Sequence, residues 1–294
     1  MRSSGNTGSA KRKPGGSQAD KSQCNPSDRS KILHILGVGP GDPRHLTRRA
    51  VEVLSEVNTV VGYTTYIDLI RPLIDNKQII SSGMTKEVER VESAINVALN
   101  GQSCAIVSSG DPGIYAMAGL VFDTCSAKRL HIAPLSDLGV RRQKQGDILY
   151  VEIIPGIPAL CAGAALLGAP LSHDFAVVSL SDLLTPWEII EKRLVAAARA
   201  DFAIVLYNPK SKKRTWQLEK AQQIILKYRD KHTPVGIVVR AMRKRQHVEI
   251  ISLENLHNAD VNMQTTVFVG SSTSRRYLDF MYTPRGYSGK YKIG

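Results

Sequence analysis

Short apolar runs, each bounded by glycine, proline or small polar residues, recur along the chain from about residue 31 onward. Most are too short for helices and read as strands. Ile32-Leu33-His34-Ile35-Leu36 is the first, followed by Gly37-Val38-Gly39-Pro40-Gly41-Asp42-Pro43 and a helix from about Leu46. Thr59-Val60-Val61 is the next, ending in Gly62-Tyr63. Residues 87–99 set Val88, Val91, Ile95, Ala98 and Leu99 at helical spacing and stop before Gly101, which suits the left-handed residue after a helix. Cys104-Ala105-Ile106-Val107 then reads as a strand buried on both faces, and it runs into Ser108-Ser109-Gly110-Asp111-Pro112-Gly113-Ile114-Tyr115 and a helix. Strands alternating with helices argue an α/β fold with a parallel sheet and crossover helices.

From 126 to 147 the periodicity lapses and basic residues collect, as expected for a surface insertion or linker between a domain at 31–125 and a second at 148–294. The second half restarts with Leu149–Ile154, then Pro155-Gly156-Ile157-Pro158-Ala159 and the small-residue helix Leu160–Gly168, whose alanines and glycines predict close packing on a backbone or a flat ligand. Thr185-Pro186-Trp187-Glu188 reads as a helix start with Thr185 as its cap. Strands are expected near 175–180, 202–206, 235–239, 248–251 and 266–269. Residues 1–30 have almost no aliphatic side chains to offset the entropy of ordering and are expected to be a disordered leader.

With 294 residues, 43% of them apolar, the chain can bury a large core. It has no run of about twenty apolar residues and no apolar secretory segment, so a cytoplasmic protein without membrane spans is expected. Cys24, Cys104, Cys125 and Cys161 are far apart, and no CxxC pair suggests a metal site. The net charge of +13 admits nucleic acid, a membrane surface or a polyanionic small molecule as partner. It lies in clusters: 11–13, 141–144, 240–245, and Arg275, Arg276, Arg285, Lys290 and Lys292.

The turns at 37–43 and 110–114 are glycine-rich strand ends, the places where α/β sheets hold ligands. A dinucleotide fingerprint needs GxGxxG opening into a helix, and GxGxG with Pro40 and Pro43 does not supply it.

Taken together, GVGPGDPRHLT, SSGDPGIY, PGIPA at 155–159 and YNP at 207–209 resemble the tetrapyrrole methylase family. VGYTTYIDLI, LSHDFAVVSLSDLLTPWEIIEKR, YNPKSKKR and TPRGY are similar to its precorrin-3B C17-methyltransferase branch. The resemblance covers about 31–287. It implies two α/β domains with a cofactor cleft between them, a homodimer, and S-adenosylmethionine as methyl donor to a tetrapyrrole substrate rather than nucleic acid. It places the cofactor against Gly110, Asp111, Gly113 and Ile114, against Pro155, Gly156, Ile157 and Ala159, and against Tyr207, Asn208 and Ala241. It turns Gly39, Pro40, Gly41 and Asp42 toward the tetrapyrrole. Precorrin carboxylates also account for the basic charge, with Arg285 as the first candidate to hold one and 212–214 and 240–245 as further ones.

The implied reaction is methylation at ring carbon 17 with ring contraction, on precorrin-3B or on cobalt-factor III. His173, Asp42 and Asp182 are the candidates for a general base. A sibling methylase acting at another ring position, an RNA methyltransferase of the same fold, and a non-enzymatic regulatory or scaffold protein are the alternatives.

Overall fold

The computed structural model describes residues 31–139 and 148–292. The leader and the basic stretch 141–144 lie outside the described residues. The first sheet has six strands: β1 (Ile32–Gly37), β2 (Thr59–Tyr63), β3 (Gln78–Ser82), β4 (Cys104–Ser108), β5 (His131–Pro134) and β6 (Ile148–Ile154). They run parallel throughout in the order β3-β2-β4-β1-β6-β5. Helices α1 (Arg48–Glu56) and α2 (Thr64–Ile74) cover one face, and α3 (Glu87–Leu99) and α4 (Met117–Ala127) cover the other. Every residue of β4 is buried, as a central strand between two helical layers requires. Helix α1 starts where the Thr47 side chain accepts the Ala50 N–H at 3.3 Å, and its buried stripe is Ala50, Val53 and Leu54. Helix α3 ends as its sequence predicts, with Gly101 at φ +76° just beyond it.

Helix α5 (Ala159–Leu167) leads into the second half, where β7 (Gly168–Ala169) precedes β8 (Phe175–Ser179), α6 (Trp187–Arg199), β9 (Ala203–Tyr207) and α7 (Gln217–Ile225). β10 (Pro234–Val239), β11 (His247–Ser252) and β12 (Thr265–Val269) complete a five-stranded mixed sheet, β11-β10-β12-β9-β8, in which only β8 and β9 pair in parallel. Helices α6 and α7 fill one face. Helix α5 lies on the other, and a Cβ on Gly163 would come 2.6 Å from the ring of buried Phe268. The small residues of α5 therefore seat an aromatic ring of the protein's own core. β13 (Arg275–Tyr277) and β14 (Phe280–Tyr282) form a hairpin that joins β7, and α8 (Tyr287–Lys290) follows.

Three expectations are corrected. Leu149–Ile154 does not open the second domain: as β6 it pairs with β1 along Ile32–Leu36 and closes the second hydrogen-bonding edge of that central strand. The linker expected at 126–147 begins inside α4 and carries β5, a four-residue edge strand too short and too exposed to show a period. Helix α6 is capped at Pro186, with no side-chain cap bond from Thr185.

Candidate functional site

Three loops meet main chain to main chain at the carboxyl ends of β4, β1 and β6. A Cβ on Gly39 would lie 2.2 Å from Gly110 Cα, one on Gly156 2.2 Å from Gly110 O, and one on Gly37 2.5 Å from the same oxygen. The Val38 N–H donates to Ser108 O at 2.8 Å and the Gly39 N–H to Gly110 O at 3.0 Å, carrying the β1–β4 pairing past the strand ends. Gly110 itself sits at φ +63°, a conformation that favours glycine. The Asp111 carboxylate fixes the arrangement, accepting the Gly113 N–H at 2.8 Å with one oxygen and the Gly156 N–H at 3.3 Å with the other. These glycines thus serve the packing of chain on chain, where the sequence suggested approach of a ligand.

Above this floor a cleft of about 900 Å³ opens between the two sheets, near the upper end of the range for small-molecule sites. On the first-sheet side it is walled by Tyr63, Tyr66 and Arg90. The two rings meet edge to face at 5.1 Å, and the Arg90 guanidinium lies 5.8 Å above the Tyr63 ring. Arg90 is buried and donates to Ser82 Oγ at 3.0 Å and Gly83 O at 2.8 Å. On the opposite side Tyr207 accepts the Leu160 N–H at 2.8 Å, and its ring lies 5.3 Å from that of Tyr115. Burial pushes the Tyr207 phenol up to about 12, so it is neutral at physiological pH. Asn208 is held at φ +53° and donates to Ser179 Oγ at 3.0 Å.

Two side chains bridge the halves of the molecule at the cleft. Tyr115 Oη donates to Val177 O at 3.1 Å. Arg243, from the β10–β11 loop, donates through Nε to Pro40 O and through Nη2 to Ser109 Oγ at 2.7 Å.

A match to the Tetrapyrrole (Corrin/Porphyrin) Methylases model spans residues 32–257, which takes in most of the residues lining this cleft. The chain belongs to the tetrapyrrole methylase family. It is 46% identical over 265 residues to a cobalt-factor III methyltransferase of Priestia megaterium, covering 90% of this chain and 46% of that relative, so this chain spans about half of that protein's length. It is 42% identical over 257 residues to a probable cobalt-factor III C(17)-methyltransferase of Salmonella typhimurium, covering 87% of this chain and all of that one. Among solved structures, the methyltransferase CobJ is similar with a TM-score of 0.75 and 32% identity, covering 86% of this chain and 99% of CobJ.

In this tetrapyrrole methylase, Gly110, Asp111 and Ile114 line the cleft together with Ala159, Tyr207, Asn208 and Ala241. Pro40 joins them from the first loop. Gly39, Gly41, Pro155, Gly156 and Ile157 do not line it. Gly39 and Gly156 are packing positions, and Gly41, at φ +130°, leaves room for Arg243, whose Nε would lie 2.4 Å from a Cβ there. Gly113 is exposed.

None of the base candidates faces the cleft. Asp42 caps the turn at 43–45 and binds Arg44 with both oxygens, which lowers its carboxyl to about 2. His173 is exposed, and its Nδ1 accepts the Asp174 N–H at 2.8 Å. Asp182 accepts from Gln217 Nε2 at 2.8 Å. Arg285 is exposed beyond the hairpin and does not reach the cleft.

Sequence reasoning missed the aromatic wall and Arg90. Arg90 stands four residues before Ala94 and eight before Ala98, on the buried stripe of α3. A cation on an apolar stripe was the available signal.

Proposed function

We propose that this chain transfers a methyl group from S-adenosylmethionine to ring carbon 17 of a corrin precursor in cobalamin biosynthesis, with cobalt-factor III as the substrate. The observation that carries the reading is one cleft with two unlike walls. One side offers Tyr207, Asn208, Ala159 and the 110–114 turn, a set of neutral side chains, main chain and apolar surface, with the Asp111 carboxylate already held by the Gly113 and Gly156 N–H groups, that suits a nucleoside and an amino acid. The other offers two tyrosine rings and Arg90, which suit the face and the carboxylate edge of a flat polyanion. The 42–46% identities to relatives named for cobalt-factor III support that substrate over precorrin-3B.

When bound, the sulfonium cofactor supplies an electrophilic methyl, so the protein's task is placement and exclusion of water. Tyr207 keeps its proton, and Asn208 is locked by Ser179, so this wall presents fixed neutral groups. Tyr115 and Arg243 hold the two halves together across the opening. The face presented by Tyr63, Tyr66 and Arg90 decides how the macrocycle lies and hence which carbon faces the donor.

The working protein is a cytoplasmic homodimer in this reading. The hairpin exposes Tyr277, Leu278 and Phe280 at 66%, 70% and 55%, an apolar patch suited to a second copy. Among the described residues no helix is long and apolar enough to cross a membrane.

The deciding experiment incubates the full chain with cobalt-factor III and carbon-13-methyl S-adenosylmethionine and locates the label by NMR. A single labelled methyl at C17 is expected. A label on another ring carbon would make the chain a sibling methylase, and transfer to RNA instead would end the tetrapyrrole reading.

A further inference from the structure

Arg243 is a cation whose protein partners are both neutral. An arginine has five N–H donors. Here Nε is taken by Pro40 O and one Nη2 donor by Ser109 Oγ, and both Nη1 donors lack a hydrogen-bond partner among the described residues. No carboxylate of the described residues stands within ion-pair distance of it. Burial disfavours its charged form, although a guanidinium stays charged at any physiological pH. The side chain is not free to seek water, because Gly41 packs against its stem and the two hydrogen bonds aim it. The guanidinium lines the cleft beside Tyr66, whose phenol also feels the charge of Arg90. Tyr63, Tyr66, Arg90 and Arg243 therefore form one continuous patch with two cations and two rings.

A half-buried, oriented guanidinium with no acidic partner among the described residues is a site suited to an anion. We propose that Arg243 is a positioning residue that receives a carboxylate from the rim of the macrocycle, with Pro40 O and Ser109 Oγ holding its fork in place. The proposal rests on the reading of the cleft as a corrin-precursor methyltransferase site. The cofactor's amino acid also carries a carboxylate. The macrocycle is favoured because Arg243 belongs to the Tyr63–Tyr66–Arg90 side of the cleft, whereas Tyr207 and Asn208 form the other. Anchoring one rim carboxylate fixes the rotation of a near-symmetric ring, so this residue bears on which carbon is methylated.

The test uses the full chain and two titrations: S-adenosylhomocysteine by calorimetry, and cobalt-factor III by absorbance with S-adenosylhomocysteine present. Arg243→Gln is expected to weaken cobalt-factor III at least tenfold and to leave S-adenosylhomocysteine within about twofold of wild type. Arg243→Lys should recover only part of the loss, since it keeps the charge without the fork. Ser109→Ala, which removes one partner of the guanidinium and leaves the charge, should weaken cobalt-factor III severalfold, and it serves as the test if the Arg243 variants fail to fold. Loss of S-adenosylhomocysteine affinity with cobalt-factor III binding intact would give the carboxylate to the cofactor and overturn the proposal. Unchanged affinity for both ligands in Arg243→Gln, or for cobalt-factor III in Ser109→Ala, would also overturn it. If wild type itself binds S-adenosylhomocysteine but not cobalt-factor III, the functional reading fails first, and that result is separate from any effect of Arg243.

Discussion

The phenolic oxygen of Tyr207 accepts the backbone N–H of Leu160 at 2.8 Å, so the last residue of β9 caps the first turn of α5. A helix start leaves its first N–H groups without intrahelical partners, and α5 has no side-chain cap from Pro158. Tyr207→Phe should therefore lower stability by about 1 kcal/mol, as loss of a capping bond does, measured by urea unfolding. In the proposed reading, affinity for S-adenosylhomocysteine should fall as well, because the substitution removes a neutral hydroxyl from that wall of the cleft. If stability is unchanged, the hydroxyl is not acting as a cap.

The floor glycines should separate cleanly by neighbour. Gly39→Ala and Gly156→Ala each place a methyl 2.2 Å from backbone of Gly110, which cannot swing aside. Overpacking of this kind costs roughly 1–3 kcal/mol or more, and thermal unfolding should show it. At Gly113 a Cβ meets only Asp111 Oδ1 at 3.2 Å, so Gly113→Ala should melt within a few degrees of wild type. Equal losses at positions 39 and 113 would contradict the chain-on-chain account.

Acid should weaken the first sheet through His34 and Glu152. His34 Nδ1 lies 2.8 Å from Glu152 Oε2, and Arg49 binds both oxygens of that carboxylate at 2.9 and 2.8 Å. Burial pulls the His34 pKa down, against the opposing pull of Glu152 and the lesser one of Glu56, and with the added repulsion of Arg49. The unfolded chain then takes up the proton first, so the His34 contribution is full above about 6.5 and is lost as pH falls through the folded value. The Arg49 hydrogen bond lowers the Glu152 pKa, so its contribution is present above the ordinary carboxylate range and lost below it, with the same sign. Stability against pH should fall from about 7 toward 4, and His34→Gln should flatten the upper part of that slope. An unaltered slope in this variant would remove His34 from the account.

Arg229 anchors the far end of the second sheet. Its side chain is 2% exposed, donates to Ala198 O, to Phe202 O at 3.1 Å and to Gly270 O at 3.4 Å, and lies 3.1 Å from Asp201. Arg229→Met leaves the buried carbonyls unpaired and should cost about 1–3 kcal/mol, read by urea unfolding. A loss below 1 kcal/mol would mean that water or a rearranged loop replaces the guanidinium.

The strands that were legible are those whose burial is carried by their own residues, such as β4 with Cys104–Ser108 buried throughout. What a strand pairs with is a long-range matter, which is why β6 reads locally as a fresh start although its partner β1 lies more than a hundred residues earlier. β5, β7, β13 and β14 have between two and four residues each and owe their existence to neighbours. At the site, the loops were visible through their glycines, but glycine shows only that space is tight and not what fills it. Arg243 stood within the basic run 240–245, and nothing local separates it from exposed Lys244 and Arg245. Its distinction comes from Pro40 and Ser109, supplied by the other half of the chain.

The main-chain floor made by Gly37, Gly39, Gly110 and Gly156 is rigid because no side chain takes part in its closest contacts. In the proposed reading the donor side of the cleft rests on this floor, to which Tyr63, Tyr66 and Arg90 contribute none of the closest contacts. An engineer could exchange those three for residues that greet a differently decorated ring, and in that reading the methyl donor would still arrive at the same point in space.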